Sequence, residues 1–293
     1  WLHRTVANAG YPAAALLEAL LIGSREDVPD TLYGAFQRTG SLHILALSGL
    51  HVTVIYGIVA GLLGFIRSRG ARFAIATAVL LFYQALAGFM PSLLRATVMI
   101  VVAGVALLAD RDREPMNALA LSGLVILLID PFQAASLSFQ LSFLALLGIL
   151  AVSPLLERAG AGFVPRFLLA PAAMAAGAQV ATLPVVIVAF GAYYPSGLVA
   201  GLLLVPLTTI FLWIGLAWLV VAVIPVPGLH GAFAAVFDAL YRVIDGCARL
   251  FGRLPGVEPD ATAAPWIAGG AGLLLVLFCA ALPTRARPRA VAA

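Results

Sequence analysis

The chain contains no lysine. Its 17 basic residues are all arginines, and charged residues of both signs make up only 10% of the sequence. An ordinary soluble domain carries about 25%, so a solvated globular surface is excluded. The net charge of +4 is dispersed over short segments instead of forming a basic tail, which makes the pI near 9.4 mainly a topology signal. Cysteine is equally scarce: Cys247 and Cys279 lie far apart, outside any CxxC and away from histidine. That excludes a disulfide framework and a cysteine-based metal site. No charged leader with a short apolar core and a cleavage site is visible, and the chain opens on Trp1, which predicts a piece of a longer protein.

What is present is apolar. Hydrophobic residues make up 63% of the chain and the mean hydropathy is +1.08. A helix needs about 20 residues to cross about 30 Å of hydrocarbon, and runs of that length recur at 43–66, 72–90, 92–109, 116–130, 134–156, 167–190 and 264–282. The fold class is therefore all-α: a polytopic transmembrane helical bundle of about seven to nine spans with short surface or amphipathic helices. Residues 11–23, which carry Glu18, and 31–40 predict two helices too short to span, lying at the surface or between spans. The run 196–225 contains Pro206, which removes a backbone donor; it is either one kinked span or two partial ones. In 228–254, Asp238, Arg242, Asp245, Arg249 and Arg253 recur at helical spacing and form one polar stripe on an amphipathic helix.

Arginines also give an orientation. Arg67, Arg69 and Arg72 follow the first span, Arg111 and Arg113 the third, and Arg158 and Arg166 flank the loop after the fifth, whereas 90–91, 131–133 and 191–195 carry no basic residue. The positive-inside rule then places residues 1–42 outside. The side of Arg285, Arg287 and Arg289 depends on whether 196–225 returns to the outer face. Three regions follow: outer short helices over 1–42, a transmembrane core over 43–225, and an amphipathic helix plus a terminal span over 226–293.

Polar residues inside spans are expensive and need a reason. The stretch SLHILALSGLHVTVIYGIVAGLL, residues 41–63, carries His43, Ser48, His51 and Thr53. On one helix Ser48 and His51 share a face, and His43 lies about 80° round the axis. Four readings stay open: an intramembrane Ser/His hydrolase, a histidine metal site, groups buried between helices, and a polar pore lining. No third metal ligand, oxyanion hole or separate base has a recognisable spacing.

Gly57–Gly61 and Gly197–Gly201 have the GxxxG spacing that lets helices approach closely. In SLSFQLSF, residues 136–143, Ser138 and Ser142 share a helix face with Gln140 nearly opposite, so protein or water must surround that helix. Gln179 and Thr182, followed by Pro184, repeat the theme. Arg95 sits about one turn into the third span, where mid-membrane burial would cost roughly 2.5–3.5 kcal/mol. It either anchors at the interface, pairs with Asp130, or faces a water-filled path suited to phosphate.

The run from Gly40 through His43, Leu45, Ala46, Ser48, Gly49, Leu50, His51 and Val52 resembles the competence channel domain of ComEC-type DNA-uptake proteins, whose hallmark reads G-x-x-H-[LI]-L-A-[IL]-S-G-L-H-V. PSLLRATVM (91–99), the DPF and SFQLSFLALLGIL motifs (130–150) and AQVATLPVVIVAFGAYYPSGLVAGLLLVPL (178–207) continue it in order, over roughly residues 14 to 225. The resemblance implies a channel passing single-stranded DNA across the bacterial cytoplasmic membrane during natural transformation. It implies a path lined by His43, Ser48, His51, Arg95, Gln140 and Gln179, structural roles for Gly49, Pro184 and Pro206, and no catalytic residue, metal or cofactor. It also implies partners: the DNA strand, the lipid bilayer, an OB domain, a nuclease domain, and a cytoplasmic helicase or DNA-receptor protein.

Two departures matter. Four histidines without an HxHxDH cluster cannot form a metallo-β-lactamase-like nuclease site, and Gly201 stands where such proteins usually carry Asn. Nuclease activity is therefore not expected, and the chain is either a channel fragment or a channel-only relative. A secondary transporter or flippase for a smaller anion, using the Pro206 break, is the alternative.

Overall fold

The computed structural model describes residues 11–45, 49–88, 90–111, 114–160, 162–221 and 229–258. Among them the regular elements are helical, and one isolated antiparallel bridge joins Tyr193 to Val257. Two short helices, α1 (Tyr11–Ile22) and α2 (Asp30–Arg38), precede a 3₁₀ turn at Leu42–Ile44. Then come α3 (Gly49–Leu62), α4 (Arg69–Leu86), α5 (Pro91–Leu108), α6 (Pro115–Ile129), α7 (Leu137–Ala151) and α8 (Ser153–Gly160). The series closes with α9 (Arg166–Phe190), α10 (Ser196–Val221) and α11 (Leu229–Phe251).

Local chemistry sets several of these ends. Pro91 and Pro115 open α5 and α6 at a position whose N–H has no helical partner. Ser68 and Ser136 cap α4 and α7 by accepting from the Ala71 and Phe139 amides at 3.3 and 3.2 Å. Gly191, at φ +66°, ends α9 in the left-handed conformation.

Three described stretches, Leu137–Gly160, Arg166–Phe190 and Ser196–Trp218, are long and apolar enough to cross a bilayer. Pro12–Ile22, His51–Phe65, Ser92–Leu108 and Pro115–Ile129 are apolar but shorter. The predicted span at 264–282 lies outside the described residues.

Packing organises the helices around two buried clusters. Leu16, Leu17 and Leu20 of α1, Phe36 of α2, Phe211 of α10, and Phe237 and Ile244 of α11 form the larger one, with the Phe211 and Phe237 rings stacked 4.1 Å apart. Val52, Leu80, Leu93 and Ala96 join α3, α4 and α5 in the second. The Tyr83 hydroxyl of α4 donates to the Leu21 carbonyl of α1 at 2.7 Å, a bond between groups of helices that contribute to different clusters.

The structure departs from the sequence reading in two places and decides a third. First, His43 and His51 do not share a helix: His43 sits on the 3₁₀ turn and His51 in the first turn of α3. Gly40, at φ +66°, packs against Tyr194 ahead of that turn, and the turn ends at Leu45, outside either helix, so an unbroken apolar run does not become an unbroken helix. Second, Gly57, Gly61 and Gly201 have open space where a Cβ would stand, and Gly57 and Gly61 are exposed. The close approach is instead between α7 and α9, where a Cβ on Gly177 would lie 2.7 Å from the Gly148 carbonyl. Third, the choice left open at Pro206 resolves to one continuous helix, in which the Thr208 and Thr209 hydroxyls donate back to the Leu204 and Val205 carbonyls beside the proline. The predicted stripe on α11 is present: Asp238–Arg242 and Asp245–Arg249 pair at 2.6 and 2.8 Å on its outer face, while Phe237, Tyr241, Ile244 and Ala248 are buried.

Candidate functional site

Arg95 is the one charged residue between Arg72 and Asp110, and the fold holds it where α3, α5 and α7 meet. Its Nη1 donates to the Ser142 carbonyl of α7. Its guanidinium carbon stands 5.8 Å from the Phe143 ring centroid, within cation–π range. The expected pairing with Asp130 is not made. That carboxylate accepts from the Phe132 amide at 3.1 Å and from Gln133 Nε2 at 2.9 Å, so it is spent on capping the turn at Pro131–Ala135. The Arg95 Nε is buried without a partner.

Gly49 explains itself against this guanidinium. A Cβ there would stand 3.4 Å from Arg95 Nη2 and 3.2 Å from the Ala96 Cβ, so the first residue of α3 is a glycine where α5 crosses it. His51, two residues on, is 5% exposed and engaged in an interaction of its own. Ser48 lies outside the described residues.

A second polar group gathers at loops that the arginine pattern places at the same outer level. Tyr193 Oη donates to Gln179 Oε1 at 2.7 Å, and burial pushes the Tyr193 hydroxyl's pKa up, keeping it a neutral donor. Gly197 packs so tightly on the Thr39 carbonyl that a Cβ would come within 2.6 Å of it. His43 lies beside this junction, next to the buried Ile44 and Leu45, and its imidazole hydrogen-bonds the Gly40 backbone. Gln140 joins neither group: its Nε2 donates to the Ala134 carbonyl at 3.0 Å. Pro184 is half-buried within α9, and Pro206 is exposed on α10.

Arg95, Gly49 and the start of α3 are thus brought together, as are Gln179 and the segment ahead of His43. Ser142 as the acceptor for Arg95 and Tyr193 as the partner of Gln179 were not singled out by sequence reasoning. Only the paired tyrosines of YYPSG hinted at the latter. Among the described residues no three His, Cys, Asp or Glu side chains converge on a common point.

The family described as Competence protein matches residues 20–287. The chain belongs to that family. ComE operon protein 3 of Bacillus subtilis (strain 168) is 34% identical over 152 residues, which are 50% of this chain and 19% of that protein. YcaI of Escherichia coli (strain K12) is 27% identical over 215 residues, 68% of this chain and 28% of the relative. Recombination protein 2 of Haemophilus influenzae is 30% identical over 146 residues, 45% and 18% respectively. The chain thus aligns with less than a third of each of these relatives. No solved structure matches it. Family membership and the three long apolar helices together point to a membrane protein.

Proposed function

We propose that the chain is the membrane-channel part of a ComEC-type competence protein, crossing the bacterial cytoplasmic membrane about seven to nine times and passing one strand of DNA inward during transformation. The OB domain, nuclease and cytoplasmic helicase or receptor that such transport draws on belong to other chains or other parts of the protein, and no catalytic step falls to these residues. The observation that carries the reading is Arg95. An arginine kept half-buried among apolar helices, anchored through Nη1 and on an aromatic face with its Nε unpaired, suits transient contact with a phosphodiester backbone. The transporter alternative drew on a helix break at Pro206, and α10 runs through that proline unbroken.

The test replaces the corresponding region of a naturally competent host's own protein with this chain and measures transformation frequency, with membrane abundance checked by blotting. Arg95→Leu should lower uptake roughly tenfold or more, as expected for loss of a charge-assisted contact of about 1.5–3 kcal/mol. Arg95→Lys, which keeps charge but not the planar fork, should fall between. Undiminished uptake in Arg95→Leu at normal abundance would overturn the role of Arg95.

A further inference from the structure

The end of α11 lies along α2: a Cβ on Gly252, just past α11, would lie 3.3 Å from the Ala35 carbonyl in the last turn of α2, and Arg249 Nη2 donates to Thr31 Oγ1 in its first turn at 3.2 Å. Between them opens a cleft of about 490 Å³ lined by Ala35, Arg38, Arg249, Gly252 and Arg253. All three arginines are exposed. Arg249 is paired with Asp245, whereas Arg38 and Arg253 have no carboxylate in ion-pair range among the described residues.

Arginines at helix C-termini have an ordinary role, which is to offset the negative end of the helix dipole. Here that role leaves a surplus. Arg249 is neutralised by Asp245, which leaves Arg38 and Arg253 against two helix ends of about half a negative charge each. About one positive charge remains uncompensated in a concave site. We infer that this cleft is a binding site for the phosphodiester backbone of single-stranded DNA, the point at which a strand is held before it reaches the helical bundle. The inference rests on the DNA-passing reading above.

Three features favour a strand over a lipid headgroup. The lining offers one methyl group, that of Ala35, and no branched aliphatic or aromatic side chain, so acyl chains have nothing apolar to lie on beside the headgroup. The arginines come from α2, from α11 and from the turn after α11, an arrangement that meets successive phosphates on one chain better than a lone anion. The cleft also adjoins the Thr39–Gly40 segment, which packs on Gly197 and Tyr194 and leads directly to His43.

The experiment uses the full chain in nanodiscs of phosphatidylcholine and a fluorescent oligothymidylate, with anisotropy followed over a range of salt. Arg38→Gln/Arg253→Gln should bind roughly tenfold more weakly and reduce the slope of log affinity against log salt by about 0.7 for each phosphate that is no longer neutralised. Arg38→Lys/Arg253→Lys should recover most of the slope. Arg242→Gln, on the same helix but outside the cleft and already paired with Asp238, should change neither. A peptide nucleic acid of the same sequence, with an uncharged backbone, should bind equally to the wild-type chain and the double variant.

Unchanged oligothymidylate affinity and slope in the double variant, with wild-type binding intact, would overturn the cleft and leave the channel reading standing. Absence of oligonucleotide binding by the wild-type chain would remove both. In discs containing phosphatidylglycerol, loss of retained anionic lipid by the double variant with unaltered DNA binding would make the cleft a lipid site instead.

Discussion

Gln84 of α4 is fully buried, yet neither its Oε1 nor its Nε2 has a partner, and Thr77 and Thr97 have unpartnered hydroxyl oxygens on α4 and α5. A threonine can turn its hydroxyl onto a carbonyl of its own helix; a glutamine amide has two polar ends to satisfy. Leaving one buried polar group unpaired costs about 1–3 kcal/mol. Gln84→Met, which keeps the shape and removes the amide, should therefore raise the thermal unfolding midpoint in detergent, followed by circular dichroism. A lower midpoint would mean that the amide is satisfied by water. His51, buried and already engaged, should tolerate an amide better than a hydrocarbon. His51→Gln should keep more transformation activity than His51→Leu at equal membrane abundance, and equal loss would revive a titrating role, since an amide does not titrate near neutral pH. Arg95 shows what was legible at this scale. Its spacing put it a turn inside a helix and its charge marked it as expensive. Its acceptor is a backbone carbonyl 47 residues away, and a main-chain group leaves no trace in residue type.

Among the elements, α11 was readable because Asp238, Arg242, Asp245 and Arg249 on one side and Phe237, Tyr241, Ile244 and Ala248 on the other share the helical period. The ion pairs of that stripe are exposed and contribute little; the apolar side carries the attachment. The glycine pairs were harder to place for a physical reason. Small residues spaced by four show that a face is smooth but not what lies against it. Gly57 and Gly61 face outward, whereas Ala173, Gly177 and Ala181, with the same spacing, are buried, and Gly177 meets Gly148. Gly177→Val should thus cost about 1–3 kcal/mol through overpacking and lower the unfolding midpoint, while Gly57→Ala and Gly61→Ala should leave it unchanged or raise it slightly. A sensitive Gly57 would mean that a partner absent from this chain covers that face. The helix break before α3 was hidden because hydropathy stays high from residue 43 to 66, and a hydropathy window does not register where the backbone turns.

For the whole molecule, the loops at 39–41, 191–197 and 252–257 meet at one end of the bundle through Gly40, Tyr193, Tyr194, Gly197 and Val257, and the arginine pattern places that end outside. With Cys247 and Cys279 replaced by serine, a cysteine at Ala192 should react with a membrane-impermeant maleimide in intact cells, and one at Arg69 should react only after the membrane is opened. The reverse pattern would invert the molecule and put the arginine cleft on the inner side. The joining of α1 to α10 and α11 has a consequence in time. Leu16, Leu17 and Leu20 are buried against helices that begin at Ser196 and Leu229, roughly 200 residues later in the chain. At about 5–20 residues per second of synthesis, α1 waits some 10–40 s for the surfaces that cover it. During that interval its apolar side chains need temporary shelter, in the lipid headgroup layer or against the insertion machinery. Slowing translation between α9 and α11 should therefore increase degradation of this protein even though no residue has been changed.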